Sequence, residues 1–211
     1  ISWSMSRFIR SGHAPTGQST VMRISPTPAT PPSSTSPFAT GPTPAGVPVK
    51  ISHIVLHSSD HKALCTWMCD VLGFKVSDWL GDFMVFLRCN SAHHRFAILP
   101  GPPCLNHVAY DMEGVDGMMR GIHRLKIKKV DIQWGPGRHT AGDNTFSYFV
   151  TPNGFVTEYT AELEEVDFEN HVAAVHEPKP MTMDQWGIGV GGPQTMPQPI
   201  PNPGLFQASE F

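Results

Sequence analysis

The stretch ISHIVLHSSDHKALCTWMCDVLG, residues 51–73, places a strand pattern directly before a helix pattern. Residues 51–58 are rich in β-branched and other apolar side chains, which favours a strand. Residues 60–73 have the apolar spacing of a helix that ends at Gly73. Three further strand patterns follow, FKVSDWL at 74–80, FMVFLRC at 83–89 and HRFAIL at 94–99. Residues 51–99 together therefore predict one β-α-β-β-β module.

The same order returns in the second half of the chain. LNHVAYDM at 105–112 is typical of a strand, and residues 113–126 are typical of a helix. Three more strand patterns follow, KKVDIQWG at 128–135, NTFSYFVT at 144–151 and FVTEYT at 155–160. An internal repeat of this size indicates two copies of one unit that bury their sheets together. We therefore predict an α+β fold in which two βαβββ modules, about 50–100 and 104–163, form a half-closed barrel.

The end of the second module holds a carboxylate within a strand pattern. In FSYFVTPNGFVTEYTAEL, residues 146–163, two aromatic and β-branched runs flank a Pro-Asn-Gly turn, which predicts a β-hairpin. With Gly154 at the left-handed position of a three-residue loop, Tyr148 lies opposite Glu158. A carboxylate in such a strand is either solvated or bound to a group that stabilises its charge. For Glu158 alone, solvation is the better interpretation.

Composition argues against several classes of protein. The 211 residues are 40% hydrophobic, which suits one domain of ordinary size with a core. A formal charge of -3 and a pI near 6.4 leave no basic footprint for nucleic acid, and the scattered Lys and Arg do not indicate a membrane surface. The four cysteines lack paired CxxC spacing and are few for a disulfide scaffold. We therefore expect reduced thiols and a cytoplasmic protein that binds neither nucleic acid nor membrane.

The two ends of the chain differ in composition from the repeat. Residues 1–49 contain 25 Pro, Ser and Thr residues and no Asp or Glu, so we expect an extended or disordered arm. That composition also matches a transit peptide, although no clear amphipathic helix is visible. Residues 166–211 are rich in Pro and Gly, and we expect a tail that wraps the surface without regular structure. The functional domain is accordingly expected at 50–165.

Two histidines occupy equivalent positions in the repeat. His53 and His107 are the third residues of ISH and LNH, which open the two modules, and Glu158 lies in the last strand of the second. Two imidazoles and one carboxylate can occupy one face of an octahedron and leave positions on a non-haem Fe(II) free for substrate and oxygen. Each histidine taken singly is more often a core or surface residue. Their equivalence between the repeats favours a metal site.

Several motifs recur along the chain in an order that resembles a known family. ISHIVL, NSAHHRFAIL, LNHVAYDM, GPGRHT, FSYF and FVTEYT together resemble the catalytic domain of type I extradiol ring-cleavage dioxygenases, in the vicinal oxygen chelate superfamily. The resemblance covers about residues 50–165. It implies an enzyme similar to catechol 2,3-dioxygenase or biphenyl-2,3-diol dioxygenase, which uses Fe(II) and O2 to cleave a catechol to a 2-hydroxymuconic-semialdehyde-type product. Mn(II) is an alternative cofactor because the two ions share ligand preferences.

The resemblance also implies roles for individual residues. The implied iron ligands are His53, His107 and Glu158, so Glu158 would be buried because a cation neutralises it. His94, the second histidine of NSAHHRF, matches the family's catalytic acid/base, which suits the ordinary pKa of an imidazole. His139 and Tyr148 match residues that contact the substrate hydroxyls. From the sequence alone, His94 also fits a strand-edge histidine, His139 an exposed loop histidine, and Tyr148 a strand residue with a solvated hydroxyl.

Apolar residues near these positions are expected to contact an aromatic ring. Val55, Ala109 and Phe146 lie close to the implied ligands in the sequence, and with His139 and Tyr148 they form the expected substrate-binding set. His57 shares the face of His53 but lies near the strand end, which indicates a place at the rim. The GPGRHT segment predicts a loop that could fold over the pocket.

One feature departs from the family pattern. Typical members of this type carry an N-terminal, non-catalytic copy of the two-module domain, and here a Pro/Ser/Thr-rich arm occupies that place. We expect either a single-domain form or a gene of which part is missing. Two other functions stay open: a glyoxalase- or isomerase-like enzyme with a redox-inert metal, and a non-catalytic binding module of the same fold. Edge strands favour self-association into a homo-oligomer.

Overall fold

The structure, a computed structural model, describes residues 46–202. The first module consists of β1 (Lys50–Ser58), α1 (His61–Leu72), β2 (Lys75–Leu80), β3 (Met84–Arg88) and β4 (Phe96–Pro100). The second consists of β5 (Cys104–Asp111), α2 (Gly114–Ile127), β6 (Ile132–Arg138), β7 (Thr145–Val150) and β8 (Val156–Ala161). The tail adds β9 (Ala174–His176), α3 (Pro180–Met183), β10 (Val190–Gly191) and a 3-10 turn at Pro193–Thr195. The predicted repeat of two βαβββ modules is confirmed, while residues 1–45 of the predicted arm lie outside the described residues.

The two modules are arranged equivalently around a central pair of strands. The strands form one mixed sheet in the order β10-β6-β7-β8-β5-β1-β4-β3-β2-β9. β1 and β5 pair antiparallel at the centre, and each module then continues with its fourth, third and second strand. The pairs β1–β4 and β5–β8 are both parallel. This arrangement agrees with the predicted half-closed barrel, and it places the two opening strands side by side.

Helix α1 shows how the local sequence determines the elements. The Asp60 side chain accepts a hydrogen bond from the Ala63 amide, which caps the first turn. Gly73 ends the helix in the left-handed conformation, and its N–H donates to a carbonyl of the last turn. Cys65 and Met68 form the buried face and pack on β3 and β4. Burial of the Met68 side chain contributes about 1.5–3 kcal/mol to stability.

The hairpin of β7 and β8 has the predicted register. Tyr148 lies directly opposite Glu158, and the Thr151 amide donates to the Phe155 carbonyl at 2.9 Å. Gly154 has a φ of 84°, as the three-residue loop requires. The prediction that a phenol and a carboxylate share one face of this hairpin is confirmed.

The C-terminal tail contains regular structure, which corrects our expectation of an irregular segment. β9 pairs with β2, and β10 pairs with β6, so the tail covers both outer strands of the two modules. The physical reason is that the unpaired backbone groups of an edge strand bind even a short extended segment, whatever its composition. β9 and β10 are therefore the outer strands of the whole sheet, and the expected self-association stays a prediction. Within residues 46–202, no helix has the length and apolarity needed to cross a membrane.

Candidate metal centre

Three potential metal ligands from three neighbouring strands meet on one face of the sheet. The Nε2 atoms of His53 on β1 and His107 on β5 each lie 3.1 Å from Oε2 of Glu158 on β8. All three side chains are buried, and their ligand atoms lie within 4.8 Å of one another. A single cation could therefore contact both imidazoles and the carboxylate.

The register of the central strands explains this convergence. Ala109 on β5 pairs with His53 on one side and with Glu158 on the other. Because directly paired residues point to the same face, the three side chains form a row. A methyl group at the middle position leaves space for the imidazole and the carboxylate to meet above it. Ala109 itself is fully buried and is not among the residues that line the cavity described below.

The carboxylate is held in its charged form. Burial would raise the pKa of Glu158, but the attraction of His53 and the hydrogen bond from His53 Nε2 outweigh burial and lower the pKa. Its second oxygen, Oε1, accepts a hydrogen bond from Asn144 Nδ2 at 3.3 Å. Glu158 is thus a fully buried carboxylate that is not solvated, which decides between the two interpretations left by the sequence.

A chain of hydrogen bonds determines which nitrogen of His107 carries the proton. The carbonyl of Pro100 can only accept, so His57 Nδ1 donates to it at 3.0 Å. His57 Nε2 then accepts from Asn106 Nδ2 at 2.8 Å, and Asn106 Oδ1 accepts from His107 Nδ1 at 2.6 Å. We call these four residues the His57 chain. His107 Nε2 is then unprotonated in the neutral imidazole, and its lone pair points toward Glu158.

That lone pair tests whether the site fits a metal. His107 Nε2 is buried and makes no hydrogen bond, although Oε2 of Glu158 lies 3.1 Å away. Burial lowers the pKa of His107 more than Glu158 raises it, so the imidazole is neutral. Two lone pairs that face each other in a buried place are stabilised by a cation between them. The donor set of two imidazoles and one carboxylate therefore fits a divalent metal ion.

The His57 chain leads to a testable prediction for metal affinity. Asn106→Leu removes the acceptor of His107 Nδ1–H, so the proton can move to Nε2 and oppose the metal. We expect roughly 10- to 100-fold weaker Mn(II) binding, the usual effect of removing the partner of a metal-binding imidazole. Asn106→Asp keeps the acceptor oxygen and is the matched variant, which should bind more tightly than Asn106→Leu. Equal affinity of folded wild type and Asn106→Leu in a calorimetric titration would contradict this account.

His94 lies beside the three potential ligands. Its ring centroid is 4.4 Å from that of His53 and 5.0 Å from that of Phe86. Burial, with a smaller effect of the neighbouring histidines, lowers the pKa of His94 well below its ordinary value. The imidazole is therefore neutral and can accept a proton at one ring nitrogen.

His139 and Tyr148 form a hydrogen-bonded pair on the other side of the site. His139 Nδ1 donates to the Met183 carbonyl at 2.7 Å, so its Nε2 accepts from the Tyr148 hydroxyl at 3.1 Å. Burial raises the pKa of Tyr148 well above its ordinary value, and Glu158 adds to this effect, so the phenol keeps its proton. The Trp134 ring stacks on Tyr148 with centroids 5.3 Å apart. The pair is thus rigidly oriented.

His139 lies on the loop between β6 and β7, which confirms that expectation, whereas the Gly-Pro-Gly-Arg residues before it belong to a strand. β6 continues through Gly135-Pro136-Gly137 to Arg138, with register shifts against β7, and His139 follows at its end. Register shifts let a strand accommodate Pro and Gly that would disrupt a regular ladder. The local sequence therefore indicated a loop where pairing with β7 forms a strand.

The residues of the expected substrate-binding set have different positions. Val55, His139 and Tyr148 line the cavity that the potential ligands face, whereas Phe146 does not. Phe146 is fully buried and stacks on the His139 ring at a centroid distance of 4.0 Å. Phe146 therefore contacts His139 instead of the cavity, and it supports the orientation of the His139 ring.

The cavity at the candidate site is lined mainly by apolar side chains. Its volume is about 370 Å³. Besides the histidines and Tyr148, the side chains that line it include Leu80, Phe83, Met84, Phe86, Leu99, Trp134, Ala141, Met183 and Met196. Among the described residues, none of those that line the cavity is Lys, Arg, Asp or Glu. Such a cavity suits an uncharged ligand with a substantial apolar part.

Sequence reasoning missed the tail as part of the site. Met183, Met196 and the segment 197–199 line the cavity, although they lie outside the repeat. It also missed the hydrogen bonds of Asn106 and His57. The shared face of His53 and His57 was a signal for His57, but its partners come from other parts of the chain. For the tail, no local pattern indicated contact with the site.

Comparisons with known proteins agree with this geometry. Residues 50–159 match the sequence model of the Glyoxalase/Bleomycin resistance protein/Dioxygenase superfamily. The chain is 28% identical over 155 residues to metapyrocatechase 2 of Cupriavidus necator, a match that covers 66% of this chain and 48% of the relative. It is 29% identical over 139 residues to the iron-dependent extradiol dioxygenase of Rhodococcus jostii (strain RHA1), covering 58% and 46%. The resemblance to extradiol dioxygenases is confirmed, and the chain spans about half the length of these curated relatives.

Two solved structures are similar to this chain. The Mn(II)-bound glyoxalase from Novosphingobium aromaticivorans is 77% identical, with a TM-score of 0.75, over 78% of this chain and 55% of that one. The homoprotocatechuate 2,3-dioxygenase from Arthrobacter globiformis is 21% identical, with a TM-score of 0.66, over 74% and 50%. At 21% identity, the similarity to the dioxygenase shows a shared fold and nothing more.

Proposed function

Because the chain belongs to the glyoxalase/bleomycin resistance protein/dioxygenase superfamily, we propose that it is a metal-dependent extradiol dioxygenase. In this proposal it cleaves the ring of a catechol with O2 beside the hydroxyl-bearing carbons and gives a 2-hydroxymuconic-semialdehyde-type product. The observation that carries the proposal is that His94, His139 and Tyr148 surround one cavity together with the potential ligands His53 and His107.

The metal would be held by His53, His107 and Glu158. When bound there, Fe(II) or Mn(II) would supply a Lewis acid for both catechol oxygens and a redox partner for O2. The remaining chemistry belongs to the side chains of the cavity.

Those side chains offer a matched set of donors and acceptors. In the structure Tyr148 donates to His139 Nε2, and a bound catechol would replace this hydrogen bond. Tyr148, which keeps its proton, would then donate to a catecholate oxygen. His139 Nε2 would accept from a catechol hydroxyl, because the Met183 carbonyl holds the ring proton on Nδ1. His94 is neutral and can take a hydroxyl proton and return it later. The apolar walls would keep bulk water away from the reacting groups.

The proposal is tested by measuring oxygen consumption. The protein is loaded with Fe(II) or Mn(II) under anaerobic conditions, then mixed with substituted catechols and air. The expected result is stoichiometric O2 uptake together with a yellow ring-fission product. Metal-loaded protein that consumes no O2 with any of several alkyl- and aryl-substituted catechols would rule out the proposed reaction.

The uncharged cavity predicts a preference among catechols. A carboxylated catechol would bury its charge without a cationic partner, whereas an aryl substituent would contact Phe83, Met84 and Met196. An unpaired polar group costs about 1–3 kcal/mol in a protein interior, and more when it is charged. We therefore expect kcat/KM for 2,3-dihydroxybiphenyl to exceed that for 3,4-dihydroxybenzoate by roughly 100-fold or more. Comparable kcat/KM values for the two substrates would show that the cavity does not select against charge.

A second candidate function is a glyoxalase-like isomerase. The observation that favours it is the name of the 77% identical structure, a Mn(II)-bound glyoxalase. This candidate predicts isomerisation of a 2-oxoaldehyde–thiol adduct at the same rate with and without oxygen. An anaerobic assay of the Mn(II)-loaded protein with such an adduct distinguishes the two candidates, because only ring cleavage requires O2.

A further inference from the structure

A second chain of hydrogen bonds connects His94 with Asp78 on β2. His94 Nδ1 and His93 Nδ1 are 3.0 Å apart, and His93 Nε2 is 3.0 Å from Asp78 Oδ2. All three side chains are buried, and His93 is fully so. We call these three residues the Asp78 chain. It connects an ionisable group of β2 with the cavity through two imidazoles.

The charge of Asp78 sets the direction of every hydrogen bond in the chain. Burial would raise the pKa of Asp78, but hydrogen bonds from His93, His176 and the Ala174 amide hold it well below its ordinary value. An ionised carboxylate can only accept, so His93 Nε2 carries a proton. In the neutral imidazole His93 Nδ1 is then a lone pair, and the proton between the two rings belongs to His94 Nδ1. His94 Nε2 is consequently unprotonated.

The surroundings of the chain favour this single arrangement. Within residues 46–202, no group hydrogen-bonds to His94 Nε2, and His94 lines the cavity. Gly142, with a φ of 83°, packs over the contact between the two rings, since a Cβ there would lie 3.0 Å from His93 Nδ1 and 3.2 Å from His94 Cε1. The Asp78 carboxylate is itself fixed by Ala174 N at 2.8 Å and His176 Nε2 at 2.6 Å.

The same region could be considered for a second metal ion. Asp78, His93 and His171 offer ligand atoms within 4.8 Å of one another. Here, however, hydrogen bonds use the nitrogens that would bind a cation. His171 Nε2 donates to the Ser77 carbonyl at 3.0 Å, and His93 Nε2 donates to Asp78. Unlike His107 at the first site, no nitrogen of this group has a buried lone pair without a partner among the described residues.

We propose that Asp78 and His93 are positioning residues that hold His94 in the tautomer with its Nε2 lone pair directed at the cavity. The role of His94 as the group that takes the substrate proton rests on the proposed function. In the opposite tautomer, His94 Nε2 would carry a proton and could not accept one from a catechol hydroxyl. The Asp78 chain therefore leaves His94 Nε2 able to accept the hydroxyl proton before the substrate binds.

Asp78→Asn is the sharpest variant for testing this proposal. The Ala174 amide requires an acceptor at the position of Oδ1, so the new NH2 group takes the position of Oδ2 and donates to His93 Nε2. Every hydrogen bond of the chain then reverses, and His94 Nε2 becomes protonated. The matched control is His176→Asn, which removes a different hydrogen bond of the same carboxylate and lies outside the chain.

The tautomer is read directly by NMR of the 15N-histidine-labelled, Zn(II)-substituted protein, with the His94 signals assigned from their absence in His94→Gln. We expect protonated Nδ1 and unprotonated Nε2 in wild type and in His176→Asn, and protonated Nε2 in Asp78→Asn. His93→Leu, which removes the acceptor of His94 Nδ1, should give a mixture of both tautomers. Protonated Nε2 in wild type, or the wild-type tautomer in both Asp78→Asn and His93→Leu, would overturn the proposal.

The kinetic readout separates this proposal from the proposed function. With an active catechol, Asp78→Asn should lower kcat by roughly 100-fold or more, as wrong-tautomer variants of imidazole bases do. KM should change by no more than about twofold, since the apolar cavity is unaltered. An unchanged kcat in Asp78→Asn would also overturn the proposal. If no catechol is cleaved, the NMR result still decides the tautomer.

Discussion

Glu158→Gln should remove tight metal binding while the protein stays folded. The amide has the shape of the carboxylate but lacks its charge, so the site keeps its two imidazoles and loses its anionic potential ligand. Loss of one partner from a buried charge pair costs about 3–5 kcal/mol, which corresponds to roughly 10²- to 10⁴-fold weaker Mn(II) or Fe(II) binding. Calorimetric or EPR titration with Mn(II) measures the effect, and activity should fall with it.

Glu164→Gln is the matched control for this experiment. Glu164 is exposed and lies six residues further along the chain, so the same chemical change there should leave the metal affinity of wild type. A thermal melt of the metal-free Glu158→Gln protein checks that the fold is intact. Wild-type affinity in a folded Glu158→Gln variant would show that the ion binds elsewhere.

The second large effect is expected from His94→Gln. Glutamine can still form hydrogen bonds, but it cannot take up a proton and return it. Loss of a general acid/base lowers kcat by roughly 10²- to 10⁴-fold. Metal affinity should change little, because His94 packs beside His53 and does not belong to the three potential ligands. Steady-state oxygen uptake with an alkyl- or aryl-substituted catechol measures kcat and KM separately.

His123→Gln on the exposed face of α2 is the control for His94→Gln and should retain wild-type kcat. Together the two experiments separate binding of the ion from movement of the proton. If His94→Gln retains full O2-dependent turnover, another group must take the hydroxyl proton. If it retains full isomerase turnover without O2, the glyoxalase-like candidate gains support instead.

Two chains of hydrogen bonds determine proton positions at the site in the same way. The His57 chain starts at a carbonyl of Pro100 and ends at a potential metal ligand, and the Asp78 chain starts at a carboxylate and ends at His94. In both, a group that can only accept lies at the outer end. Because each neutral imidazole has one donor and one acceptor, that single group determines the proton positions along the entire chain.

The placement of the three potential ligands followed from features that lie within the sequence. His53 and His107 occupy equivalent positions of a repeat, so any arrangement that pairs the modules symmetrically brings them together. The register of the β7–β8 hairpin depends on a three-residue turn, which is local, and it placed Tyr148 opposite Glu158. Periodicity and turn chemistry act over a few residues, which is why they are visible in one sequence.

Ala109 and Phe146 show where sequence proximity was misleading. Both lie near site residues in the chain, and both are fully buried beneath them instead of lining the cavity. Strand alternation gives the face of a residue, but the depth at which a side chain ends depends on what packs above it. For Phe146 that neighbour is His139, which arrives from the end of β6.

One sequence was enough to predict the repeated βαβββ modules, the hairpin register and the candidate ligand set, because each is encoded by alternation, turn residues or equivalence between repeats. The folded chain was needed to show that the Pro/Gly-rich tail forms a wall of the cavity with Met183 and Met196, and that Asp78 connects to His94 through His93. These contacts join segments far apart in the chain through burial and hydrogen bonding. Their energies depend on distances that no local pattern records.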